Sequence, residues 1–385
     1  MDTLLHALSA DQEQMKAWRH HLHQHPEVAF DEHNTARYIA GLLREWGYEV
    51  TEGVGKTGVV ARMRCGDGEK SIGLRADTDA LAVQEMIESA HKSTVEGKSH
   101  TCGHDGHSAM LLGAAQYLAR TRAFNGTVNL IFQPAEEIMG GAVAMIEDGL
   151  FDRFPMDAVF GMHNMPTLER GKLYFTAGPI MAAVDNWEIV LTGKGSHGSM
   201  PEKSIDPVVA GASLVMALQT IVSRNVGAKD SAVVSVGAFL AGDAGNVIPQ
   251  TATLRLSIRS SAPETRKLVL DKVKAITAAQ SMSFGVSYEI REGAPGAVLV
   301  NDSEQTLECA DIARGLLGED QVVMPGPTFM GSEDFAYYAQ QKPGTYCFIG
   351  NGDTPMVHHP MYDFDDRNLP VGAAYWVALT EHFLK

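Results

Sequence analysis

The chain predicts an α/β fold in which a mixed sheet flanked by helices is interrupted by a smaller, inserted ferredoxin-like α+β lid. Three observations predict it. Apolar runs of strand length alternate with helical segments through the first half, the pattern of a sheet covered on both faces. After about Val184 the strands alternate apolar and polar residues, as half-buried strands do. There the order becomes strand, helix, strand, strand, helix, strand, the split βαβ arrangement.

In chain order, residues 10–46 read as helical, with Leu22, Tyr38, Ile39, Leu42 and Leu43 as core positions and Gly47 as a stop. Strands are expected over 59–63, 71–76, 128–132 and 158–162, with helices over 108–119 and 141–147 between them. In the insertion, 187–192, 232–237 and 251–259 read as strands and 206–222 and 263–279 as amphipathic helices. The Gly293-Ala294-Pro295-Gly296 punctuation closes it, and a strand over 344–350 resumes the first sheet. The expected division is one domain of 1–184 and 295–385 and an inserted domain of 185–294.

With 385 residues and 45% hydrophobic content, the chain can bury a large core and suits two domains. A formal charge of −16 argues against nucleic acid and anionic membranes, which select clustered Lys and Arg. No stretch reads as long and apolar enough to span a bilayer, and the acidic start Met1-Asp2-Thr3 is not a secretory signal. Cys65, Cys102, Cys309 and Cys347 are too scattered for a disulfide framework, which points to a reducing cytoplasm.

The chemistry concentrates in His100-Thr101-Cys102-Gly103-His104-Asp105-Gly106-His107 and, further on, Gln133-Pro134-Ala135-Glu136-Glu137. Thiol, imidazole and carboxylate are the ligands that borderline transition metals choose, and Gly103 lets Cys102 and His104 turn toward one centre. Two carboxylates at the tip of a buried strand are hard to explain as packing, and strand tips are where α/β proteins place chemistry. Three further segments join them: Arg75-Ala76-Asp77-Thr78-Asp79, Gly161-Met162-His163-Asn164 and Val357-His358-His359-Pro360. Gly195-Ser196-His197-Gly198-Ser199 lies in the insertion.

In this order the motifs resemble the dinuclear metallohydrolase family of aminoacylases, glutamate carboxypeptidases and succinyl-diaminopimelate desuccinylases. The likeness is stronger to its amidohydrolase branch of hippurate and indole-acetyl-amino-acid hydrolases. It covers essentially the whole chain, from Trp18 to Asp366. The resemblance implies that Cys102, His104, Glu137, His163 and His358 hold two divalent metal ions (Mn, Zn, Co or Ni), with Cys102 as the bridge. It implies Glu136 as general base, Asp79 as the acid that orients a ligand imidazole, and His197 as the group stabilising the oxyanion. Asn246 and Arg259 match substrate-binding positions, Arg259 being suited to a carboxylate by its planar fork. His358 is favoured over His359 by the His-x-Pro spacing. The histidine run from His20 to His25 corresponds to a packing and capping element, and Glu333 and Asp334 to residues behind the ligands.

The implied activity is hydrolysis of the amide bond of a small N-acyl amino acid or related conjugate, by a homo-oligomer assembled through the lid. Three other readings use the same residues: a dipeptidase, a hydrolytic deaminase of an aromatic amine, and a metal-stabilised binding protein without turnover. A Cys102 nucleophile is a fourth, but leaves Glu136, Glu137, His163 and His358 without a role.

Overall fold

The computed structural model describes residues 2–385, and the chain divides into two compact units. One comprises residues up to Gly178 with Val300–Pro327 and Asp334–Lys385; the other comprises Pro179–Leu299 with Thr328–Glu333. The second unit thus starts ahead of the expected residue 185 and takes in a short later segment. That segment is held by pairing: Phe329 bridges Met181 in parallel, and its N–H donates to the Ile180 carbonyl at 2.9 Å.

The first unit is built on an eight-stranded mixed sheet. From edge to edge its strands are Glu49–Val54, Gly58–Cys65, Gly126–Gln133, Ser71–Asp77, Ala158–Pro166, Gly344–Gly352, Leu173–Tyr174 and Val322–Val323. Ser71–Asp77 runs parallel to both its neighbours, and Ala158–Pro166 is parallel to Gly344–Gly352, whereas the pairings of Gly58–Cys65 are antiparallel. Every residue of Ala158–Pro166 is buried, which explains its unbroken apolar start. Helices Gln12–Gln24, His104–Thr121 and Leu369–Phe383 pack together over the sheet, with Trp376, Leu112, Met15 and Phe160 in one continuous core.

The helical pattern expected over 10–46 is broken here into Gln12–Gln24 and His33–Glu45, preceded by Asp2–Ala10. Pro26 is the reason, because it lacks an N–H and biases His25 away from the helical region. Glu27 then caps the next helix, its Oε2 accepting from the Asn34 and Thr35 N–H groups at 2.8 Å each.

The second unit is a four-stranded antiparallel sheet in the order Ala232–Leu240, Thr251–Ser260, Ala183–Thr192, Ser287–Glu292. Helices Pro207–Asn225 and Pro263–Phe284 pack on it around Trp187, Leu214, Leu218, Leu256 and Val273, the ferredoxin-like arrangement. Asp206 starts the first helix by accepting from the Val208 N–H at 2.8 Å, with Pro207 at the first helical position. This helix corrects one expectation. Its 19 residues, at a mean hydropathy of 1.3, are long and apolar enough by composition to cross a membrane. In the fold, Ala210, Leu214, Leu218 and Ile221 are instead its core face.

The parallel strands aim their carboxyl ends at one edge of the first sheet, where Arg75 ties them together. Fully buried, it donates from Nη1 to Asp77 Oδ2 at 2.8 Å, from Nε to Gln133 Oε1 at 2.9 Å and from Nη2 to Asp334 Oδ1 at 3.0 Å. Asp334 also accepts from Gln133 Nε2 and from the Ala142 N–H. Removing one partner of a buried pair strands the other's charge, so Asp334→Ala lowers the unfolding free energy by about 3 kcal/mol or more. Urea denaturation of the variant against the parent chain measures this loss.

Candidate metal centre

Gly103 sets the geometry of the Cys102–His104 pair. It precedes helix His104–Thr121 at φ +93°, and a Cβ there would lie 2.6 Å from Asn164 Nδ2 and Tyr362 Oη. No other residue fits that turn. Asn164 pins the same loop, donating from Nδ2 to the Cys102 carbonyl at 2.8 Å and accepting the Tyr362 hydroxyl on Oδ1.

His104, His163 and Glu137 are each held by one hydrogen bond and turn a second polar atom toward the cluster. His104 donates from Nδ1 to Asp79 Oδ1 at 3.2 Å, and its buried Nε2 has no hydrogen-bond partner among the described residues. His163 donates from Nδ1 to the Asn164 carbonyl at 2.5 Å, leaving Nε2 at 3.4 Å from Cys102 Sγ. The Glu137 N–H donates to Asp79 Oδ2 at 3.0 Å, while its Oε1, without a hydrogen-bond partner among the described residues, lies 3.3 Å from His358 Nε2 and 3.9 Å from His104 Nε2. Ligand atoms of Cys102, His104 and His163 lie within 4.8 Å of one another, as do those of Cys102, Glu137 and His358, and those of His104, Glu136 and Glu137. Cys102 is common to the first two groups.

His107 is beside this cluster without a nitrogen to offer. Its Nδ1 donates to Asp77 Oδ1 at 2.6 Å, and its Nε2 accepts the Asn164 N–H at 3.0 Å. Asp77 is spent in the same way, one oxygen on His107 and the other on Arg75.

The electrostatics are those of a site built around a cation. Burial, then the Glu137 and Glu136 charges, push the Cys102 thiol well up. Burial disfavours charged His104, but Asp77, Asp79 and Glu137 outweigh it and take the imidazole up to about 10. Burial and His107 hold His163 well below the usual range. The donor set fits a divalent cation: His104 Nε2 and Glu137 Oε1 are the atoms that would hold it, and its charge would offset the carboxylates and favour the thiolate of Cys102. Backbone strain gathers here too, with Ala135 (φ +52°), Met139 (φ +56°) and His358 (φ +68°) all left-handed without being glycine.

His197, Asn246 and Arg259 all lie in the second unit. His197 and Asn246 come together, because His197 pairs with Val247 and the Gly198 N–H donates to the Asn246 carbonyl at 2.7 Å. Arg259 stands on Thr251–Ser260 and donates from Nη1 to the Met330 carbonyl at 2.7 Å.

The chain belongs to peptidase family M20/M25/M40, whose model matches residues 73–382. It is 45% identical to hippurate hydrolase of Campylobacter jejuni over 95% of this chain and 96% of that protein. It is 37% identical to N-acetyl-L-cysteine deacetylase of Bacillus subtilis, over 96% and 88% respectively. The crystal structure of the Bacillus subtilis YXEP protein, a dinuclear metal-binding peptidase of the M20 family, superposes with a TM-score of 0.86 at 33% identity, covering 98% of this chain and 99% of that one. This chain is a metal-dependent amidohydrolase.

Sequence reasoning passed over the ionic network behind the centre. His23 donates from Nδ1 to Asp105 Oδ2 at 2.8 Å and from Nε2 to Glu85 Oε1 at 2.6 Å; Arg19 donates to the same Asp105 oxygen at 3.1 Å. The residue next to His104 is thereby fixed. The only signal was the density of histidines from His20 to His25, read as packing and capping. Burial alone would lower the His23 pKa, but Asp105 and Glu85 outweigh burial and Arg19 and leave it at about 9. The rings of His91 and His100 are also close, with centroids at 5.2 and 6.3 Å. A folded pKa above the ordinary 6.5 stabilises fully below pH 6.5 and is lost as pH rises through about 9. Urea titrations across this window should lose on the order of 3 kcal/mol from His23. The His23→Gln variant should lack that slope.

Proposed function

We propose that the enzyme hydrolyses the amide bond of N-acyl amino acids or related conjugates, using two divalent cations (Mn, Zn, Co or Ni) held by Cys102, His104, Glu137, His163 and His358. The observation that carries this reading is that Cys102 belongs to two donor groups at once, one with His104 and His163 and one with Glu137 and His358. His358 is preferred over its neighbour because its Nε2 is 3.3 Å from Glu137, whereas His359 Nδ1 accepts the Met361 N–H at 3.1 Å. When bound, the cations supply Lewis acidity for the amide carbonyl and a water of lowered pKa.

The chain's own residues do the rest. Glu136, buried beside Glu137, takes the proton of the attacking water and returns it to the leaving amine nitrogen as the C–N bond breaks. Asp79 orients two elements with one carboxylate, His104 through Oδ1 and the Glu137 backbone through Oδ2. On the family resemblance, His197 is assigned to the developing oxyanion, and Asn246 and Arg259 to the substrate. A reducing cytoplasm suits four buried free thiols, of which Cys102 must stay reduced to bind metal.

A panel of N-benzoyl, N-acetyl and indole-acetyl amino acids tests the reaction by amine release. Chelation should abolish turnover and Mn or Zn should restore it, and the rates across the panel rank the acyl groups. Turnover that ignores the chelator would point to Cys102 as nucleophile.

We also propose a homo-oligomer formed through the second unit. Strand Ala232–Leu240 is a sheet edge, with Val233 39%, Phe239 37% and Leu240 51% exposed, and the neighbouring helix exposes Val209 and Met216. An apolar sheet edge of that length invites pairing with a second copy. Light scattering after size exclusion should give twice the chain mass, falling to one chain mass in Met216→Glu/Leu240→Lys.

A further inference from the structure

The turn that carries Glu136 is clamped from both sides. At Ala135 the backbone is left-handed, at φ +52°, a conformation that costs an alanine free energy and must be imposed from outside. Its carbonyl accepts the N–H groups of Gly140 at 3.2 Å and Gly141 at 3.0 Å. Gly141 is required for this closure, since a Cβ there would meet the Pro134 carbonyl oxygen at 1.6 Å. The Ala135 N–H donates to Glu32 Oε1 at 2.9 Å, and two residues later the Glu137 N–H donates to Asp79 Oδ2 at 3.0 Å. Glu136 therefore hangs between two N–H groups, each anchored on a buried carboxylate.

Glu32 is fully buried and stands at the start of helix His33–Glu45, where its side chain makes no capping bond. Glu27 caps that helix instead. The Glu32 carboxylate is committed elsewhere: Oε1 to Ala135 and Oε2 to the Thr57 hydroxyl, which donates at 2.6 Å. Burying a carboxylate is costly, and one placed on a strained turn rather than on its own helix has a positional role to explain it.

We propose that Glu32 is a positioning residue for the reaction, holding the Ala135 turn so that the Glu136 carboxylate is presented in its working place. This rests on the assignment of Glu136 as general base. Glu32 touches none of the candidate metal ligands through any hydrogen bond described here, so its loss should separate base placement from metal binding.

The experiment compares Glu32→Ala, Glu32→Gln, Thr57→Val and Glu136→Gln for kcat, KM and bound metal per chain. Glu32→Ala should lose about 10- to 100-fold in kcat with KM and metal content near those of the parent enzyme. Glu32→Gln should recover most of that loss, because its amide oxygen can accept the Ala135 N–H while its amide nitrogen donates to Thr57. Thr57→Val, which leaves Glu32 in place, should give a smaller kcat loss and keeps the test usable if Glu32→Ala fails to fold. Parent-like kcat in folded Glu32→Ala or in Thr57→Val overturns the inference, as does a loss that follows metal content. An inactive Glu136→Gln beside fully active Glu32 variants overturns this inference alone; an active Glu136→Gln overturns the base assignment and the inference with it.

Discussion

A carboxylate cannot be taken out of water without compensation, and the carboxyl edge of the first sheet buries Asp77, Asp79, Glu136 and Asp334 almost completely. Much of the surrounding architecture answers that constraint. Arg75 pairs with Asp77 and Asp334 and joins three segments of the sheet edge. His107 takes the second oxygen of Asp77, and two backbone N–H groups with one imidazole satisfy Asp79 and part of Asp334. Beside Cys102, His104 Nε2 and Glu137 Oε1 are buried without a hydrogen-bond partner among the described residues.

The centre also depends on how rigidly its loops are held. Asn164 gathers the Cys102 carbonyl and the Tyr362 hydroxyl, and its own N–H fixes the tautomer of His107 by donating to Nε2. Behind the first turn of helix His104–Thr121, Arg19 and His23 converge on Asp105. The histidines of this region therefore divide by their second nitrogen. His23 and His107 have both nitrogens engaged by other side chains or backbone, whereas His104 keeps Nε2 without a hydrogen-bond partner among the described residues and His163 turns Nε2 to Cys102 Sγ.

The sequence made the sheet legible because buried parallel strands write themselves as apolar runs, and it made the cluster legible because Cys-Gly-His and Glu-Glu are local patterns at strand or loop ends. Segments that converge only in space were harder to read. Glu32 sits between Asp31 and His33 in an ordinary polar stretch, and its partners Thr57 and Ala135 are 25 and 103 residues away, so no spacing betrays it. The break at His25 was underestimated although Pro26 marks it, because apolar residues keep helical periodicity on both sides. The helix Pro207–Asn225 carries enough apolar residues to match a span in length and composition, yet part of them, Ala210, Leu214, Leu218 and Ile221, forms the core face of a small α+β domain.

The left-handed backbone at Ala135, Met139 and His358 has an evolutionary implication. Glycine at these positions would relieve steric strain, yet it would also widen the conformations open to the segments that present Glu136 and His358. Selection for thermal robustness and selection for turnover therefore pull in opposite directions at these three places. Glycine at any of the three would exchange strain in the folded backbone for conformational freedom in the unfolded chain.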